Sequence, residues 1–179
     1  MYDGMQGYLQ VIPVPEGKET SLTTINGKEF RGSLEFRRMA GSDITVINIL
    51  PLEEYLYGVL PREMGGDAPL EALKAQAVTA RSYTIMNIGK HGNLGFDLCP
   101  TVDCQVFGGY EWEHPNATKA VDETRGKTLT YNGRLASVYY FSNSGGMTED
   151  VANVWGSNGY PYLKSCLLYT SDAADEEDS

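Results

Sequence analysis

The 179-residue chain carries 14 basic and 24 acidic residues, a net charge of −10, with 41% hydrophobic and 21% charged residues. That length and balance fit an ordinary globular fold with its own core and exclude a disordered chain. No basic stripe offers itself to nucleic acid, and no run of about 18 apolar residues is present to span a membrane.

The N-terminal third reads as strands. "GYLQVIPV" is bounded by Gly7 and Pro15. "SLTTINGKEFRGSLEFRRM" carries Asn26-Gly27, a hairpin signal because both residues tolerate positive φ. "DITVINIL" is β-branched and apolar, which suits a strand. Pro51 then opens a helix, where its missing N–H costs nothing, with Leu52, Tyr55, Leu56 and Val59 on one face. Pro61 is expected to end it. A second helix starts at Pro69, with Glu71 in its first turn and Leu70, Leu73, Ala77, Ala80 and Thr84 on one face, and runs to about Ile88.

Residues 89 to 114 read as irregular, with Gly, Pro, Asp and two cysteines. Pro115 opens a short third helix, "PNATKAVDETR", closed by Gly126. A second hairpin is expected around Asn132-Gly133, followed by a loop-rich end. The pattern predicts an α+β fold: a largely antiparallel sheet with two or three helices. Glu63 is expected in a break between two of those helices.

The final "CLLYTSDAADEEDS" is set apart. It is similar to the translation of a transposon-type sequencing-library adaptor. Residues 1–165 are therefore expected to be the folded domain, and 166–179 a non-native tail. Without the tail's five acids the chain has 19 acids against 14 bases, a net of −5, so the apparent acidity says little about partners.

"VINILPLEEYLYGVLPREMGGDAPLEALKAQAVTARSYTI" resembles the signature region of the stage II sporulation protein D family, which also includes amidase enhancers of bacterial cell walls. The resemblance continues through "CQVFGGY", "AVDETRGKTLTYNG", "YYFSNSGGMTEDV" and "PYL", roughly residues 30 to 165. It implies a lytic transglycosylase acting on peptidoglycan glycan strands, with Glu63 of the "PREM" motif as the essential acid. The alternative it implies is a non-catalytic peptidoglycan-binding enhancer of a cell-wall amidase. By the same resemblance Lys74, Gln76 and Arg81 line or brace the groove. Read from the residues alone, Lys74 fits an exposed helical face, Gln76 an inward hydrogen bond, and Arg81 a buried structural pair. Glu53 and Glu54 read as solvated. Ser144, Gly145 and Gly146 form a candidate sugar-binding loop, where glycines let backbone amides approach a ligand.

The segment "KHGNLGFDLCPTVDCQVF" gathers His91, Cys99, Asp103 and Cys104. Some family members bind zinc through Cys and His ligands here, but Asp103 stands where those members carry a His. A structural zinc, a Cys99–Cys104 disulfide and free thiols all remain open, and no cofactor is required for the chemistry. The substrate implies an extracytoplasmic location, with an export or anchor signal expected upstream of Met1.

Overall fold

The computed structural model describes residues 7–14, 20–38, 43–156 and 158–168. The opening residues 1–6 and most of the set-apart tail, 169–179, lie outside them. The chain divides into two compact units, Met1–Tyr139 and Tyr140–Ser179.

The first unit begins with five strands: β1 (Tyr8–Val11), β2 (Leu22–Ile25), β3 (Lys28–Arg31), β4 (Ser33–Arg38) and β5 (Ile44–Ile49). β4 pairs antiparallel with both β1 and β5, in the order β1-β4-β5, while β2 and β3 form a separate hairpin. Asn26 and Gly27 both hold positive φ at that hairpin's turn. Asn48 of β5 donates to the Arg31 and Ser33 carbonyls at 2.8 and 3.1 Å, tying β5 to the β3–β4 connection.

Three helices supply the core: α1 (Leu52–Glu63), α2 (Leu70–Asn87) and α3 (Pro115–Glu123). Leu56, Tyr57 and Leu60 of α1 meet Leu73, Ala77 and Ala80 of α2 and Ala117, Ala120 and Val121 of α3. The alanines let the helix axes approach closely. The unit closes on a short hairpin, β6 (Thr130–Tyr131) and β7 (Arg134–Leu135), around Asn132-Gly133. The fold is α+β, and among the described residues the strand pairing is antiparallel and divided among three small sheets.

Pro61 does not end α1. It removes one N–H, but Met64 N still donates to Leu60 O and Gly65 N to Pro61 O, at 3.0 and 3.1 Å. A proline this near a C-terminus costs a single rung instead of breaking the helix. Glu63 is consequently the last helical residue, and the break runs from Met64 to Pro69.

The second unit holds α4 (Val151–Trp155), which the sequence did not signal. Asp150 caps its start by accepting from Ala152 N at 2.8 Å, and left-handed Gly156 ends it. Cys166 and Leu168, assigned from sequence to the tail, hydrogen-bond to Thr148 and Gly146 within this unit. Among the described residues no helix is long and apolar enough to cross a membrane.

Candidate functional site

Glu63 leaves the C-terminal end of α1 half-buried, with Oε1 accepting from Val106 N at 2.7 Å. Two residues on, Gly108 N donates to Gly58 O of the same helix at 3.0 Å. The segment 106–108 thus lies along α1. Gly58 makes this approach feasible: a Cβ there would sit 2.6 Å from the Phe107 ring. Phe107 in turn stacks on Tyr55 at 5.3 Å between centroids. Packing of the 106–108 segment, more than the turn after α1, therefore aims the carboxylate. Among the described residues Val106 N is its recorded hydrogen-bond partner. A separate cavity of about 1260 Å³, lined by Phe30, Leu34, Val46, Tyr55 and Phe107 among others, does not include Glu63.

Arg81 is only 1% exposed and acts as a brace. Its Nε and Nη2 bind both Glu53 oxygens at 3.0 and 2.6 Å, and its remaining donors reach the carbonyls of Ala77, Val121 and Lys127. Glu53 also accepts from Gly126 N. This is the structural pair that one sequence reading allowed, and it corrects the reading of Glu53 as solvated. The pair joins α1, α2 and the end of α3.

Lys74 bridges Glu71 and Glu123 at 2.7 and 2.6 Å, linking α2 to α3. Gln76 is buried, with no hydrogen bond recorded for its amide among the described residues. Ser144, Gly145 and Gly146 belong to the second unit. There the Gly145 and Gly146 amides turn inward to Asn143 Oδ1 and Ser144 Oγ, at 2.7 and 3.3 Å, so the loop binds itself.

Sequence reasoning missed a polar lattice around Tyr57 of α1. Arg31 grips Glu113 through two bonds of 2.6 and 2.8 Å and lies over the rings of Tyr57 and Tyr110. Tyr57 donates to Asp122 at 2.6 Å, and Arg125 reaches both. Burial, with Asp122 adjacent, pushes the Tyr57 phenol up to about 12. Asp122 also resists burial's upward pull: bonds from Tyr57 and Arg125 hold it below the usual carboxylate range. The signal was present only as isolated Tyr and Arg residues, because the partners lie 65 to 82 residues apart.

The predicted Cys/His group does assemble. Ligand atoms of His91, Cys99, Asp103 and Cys104 all lie within 4.8 Å of one another. His91 Nε2 is 3.3 Å from Cys104 Sγ and 3.2 Å from Asp103 Oδ2, while the two thiols sit 3.8 and 3.9 Å from the same oxygen. Tetrahedral zinc with bonds of about 2.0–2.3 Å spaces its ligands about 3.3–3.8 Å apart, so this donor set fits it. Both cysteines are free thiols, not a disulfide. Burial pushes the Cys99 thiol up, but bonds with Thr101, Cys104 and His91 outweigh it and bring it down to about 7. Lys90 stabilises the Asp103 carboxylate, holding it below its ordinary value.

Comparison with known proteins agrees with the sequence pattern. An amidase enhancer of Bacillus subtilis is 42% identical over 151 residues, covering 83% of this chain and 20% of that protein. A stage II sporulation protein D of the same organism is 37% identical over 185 residues, covering 88% of this chain and 54% of its own length. An uncharacterized protein of Brachyspira hyodysenteriae is 43% identical over 141 residues, 78% of this chain and 38% of the relative. The chain thus spans from a fifth to about half of these relatives. The stage II sporulation protein family model matches residues 40–131, which include α1, Glu63, the 106–108 segment and the Cys/His group, and the chain belongs to that family.

Proposed function

We propose that the chain is a peptidoglycan lytic transglycosylase domain with Glu63 as its general acid and base. The observation that carries this reading is a half-buried carboxylate at a helix end, with one oxygen fixed by Val106 N–H. Ordinary glycosidases need two carboxylates, because one must activate water or attack the sugar. A lytic transglycosylase needs no water. The C6 hydroxyl of the N-acetylmuramic acid attacks its own anomeric carbon, and tethering supplies the proximity. Glu63 protonates the departing glycosidic oxygen and then takes the C6 hydroxyl proton. One C–O bond breaks, the 1,6-anhydro ether forms, and the carboxyl returns to its starting state.

Glu63→Gln keeps the side chain's size and removes the titrating group. It should lower the rate by about 10²–10⁴. Mass spectrometry of sacculi treated with the chain or its variant reads the result as 1,6-anhydro ends. Undiminished anhydro products from the variant would overturn the assignment.

The 42% identity to an amidase enhancer favours a second reading, in which the domain binds glycan and stimulates an N-acetylmuramoyl-L-alanine amidase without cleaving the strand. Faster amidase turnover on adding Glu63→Gln would support it. Either role acts on the wall polymer and so places the domain outside the cytoplasmic membrane. His91, Cys99, Asp103 and Cys104 are assigned as ligands of a structural zinc. Four protein donors leave it no open position, so it would stiffen the loop that leads to Val106.

A further inference from the structure

Three consecutive residues of the connection between α2 and α3 have three different surroundings. Cys104 brings its thiol to the Cys/His group. Val106 holds Glu63 through its N–H. Between them Gln105 is 1% exposed, a burial that costs free energy unless the amide is hydrogen-bonded. The amide is bonded to both long helices. Its Oε1 accepts from the Thr84 hydroxyl of α2 at 2.7 Å and, at a longer 3.4 Å, from the Tyr55 hydroxyl of α1. Its Nε2 donates to the Ala80 carbonyl of α2 at 3.4 Å.

Covalent geometry decides what this amide fixes. The Val106 N–H lies in the same rigid plane as the Gln105 carbonyl, and that plane ends at the Cα atoms of the two residues. Holding the Gln105 side chain therefore holds one end of the peptide that carries the donor. The other end is held further along the chain. There Phe107 N donates to Pro100 O at 3.4 Å, and Gly108 N donates to Gly58 O at 3.0 Å.

We propose that Gln105 is the positioning residue for Glu63: by tying one end of that peptide to α1 and α2, it aims the Val106 N–H at the carboxylate. Gln105 acts through the N–H alone, and Thr84 is part of the anchor. Its role in cleavage rests on Glu63 being the acid and base, but the anchoring itself does not. The rival is the Cys/His group, because Cys104 adjoins Gln105 and a zinc held there would also steady the connection.

Gln105→Met keeps the side chain's length and removes its polar atoms. It leaves Thr84 with a partner, because that hydroxyl is shared with Ala80 O at 2.8 Å in its own helix. Amide hydrogen exchange of the 179-residue chain, read residue by residue by NMR, should show Val106 protected in the parent and unprotected in Glu63→Ala. Gln105→Met should speed Val106 exchange about tenfold, while Gly108 and Leu73–Ala80 keep their protection. Thr84→Val should act in the same direction, and Thr84→Ser, which retains the hydroxyl, should not. Chelator added to the parent should leave Val106 protected. With soluble glycan strands as substrate, Gln105→Met should lower kcat about 10- to 100-fold, the scale of a misplaced catalytic group, with KM unchanged. Val106 protection that survives Glu63→Ala or Gln105→Met overturns the proposal. So does a loss spread evenly over residues 104–108 and α2, which marks a merely structural role, or a loss brought about by chelator. In a parent that cleaves, an unchanged kcat overturns it too. If the parent yields no anhydro ends but Gln105→Met still frees the Val106 amide, the transglycosylase reading fails and the anchor stands.

Discussion

Arg81 shows how far one residue can be read before its partner is known. A sequence places it on the helix after Glu63 and suggests a clamp. It cannot name Glu53, because that carboxylate lies 28 positions earlier on another helix. In a helix's first turn, Glu53 fits an exposed residue favoured by the helix dipole equally well. The folded pair is almost dry, with side-chain exposures of 1% and 12%. Removing one member of a buried pair leaves the other charge desolvated and uncompensated, at a cost of about 3–5 kcal/mol. Arg81→Met should therefore lower the urea-unfolding free energy by that amount. Lys74→Ala on the same helix, which loses only surface pairs to Glu71 and Glu123, should cost less than about 1 kcal/mol. Similar losses for the two variants would show that Arg81 is not the brace described here.

At the scale of elements, the long connection between α2 and α3 carries most of what local pattern leaves unsaid. Strand and helix identities in the first unit followed from β-branched runs, Asn-Gly turns and apolar periodicity, which are properties of neighbouring residues. Pro51, Pro69 and Pro115 marked helix starts well. Pro61 misled, because a proline near a helix end and a proline past it look alike in sequence. The connection's own conformation depends on distant contacts, including Gly58 against Phe107 and Glu63 against Val106. Its Cys/His group was legible as residue types, but the nearness of all four donors is a product of the fold. If that group holds zinc, the purified chain should carry about one equivalent by elemental analysis. A chelator should then lower the melting temperature, since an ion bound only by the folded state stabilises it by mass action, about 2.7 kcal/mol at a hundredfold excess over Kd. Cys99→Ser and Cys104→Ser should each abolish both effects. A metal-free chain whose melting is indifferent to zinc and chelator would leave the cluster as free thiols.

For the molecule as a whole, the chain gathers into two compact units divided after Tyr139. Composition could not reveal this, because no linker-like stretch marks the division. The units differ in how much they bury. The first packs nine fully or nearly buried side chains from three helices into one cluster. In the second, Val151 is the buried residue among those described, while Phe141, Met147, Val154, Trp155, Leu167 and Leu168 are all at least half exposed. A unit with so little apolar burial among its described residues gains little stability from them. Hydrogen exchange should therefore separate the units. Amides of Leu73–Thr84 should exchange only through global unfolding, whereas those of Val151–Trp155 should exchange orders of magnitude faster, through local opening. The small α4 cap, Asp150 to Ala152 N, adds about 1 kcal/mol and cannot close that gap. Glycan added to the chain would slow exchange in the second unit only if that unit touches the ligand. That comparison therefore tests the Ser144–Gly146 loop as a sugar contact independently of Glu63. Equal protection of α2 and α4 in the free chain would mean that the two units unfold as one.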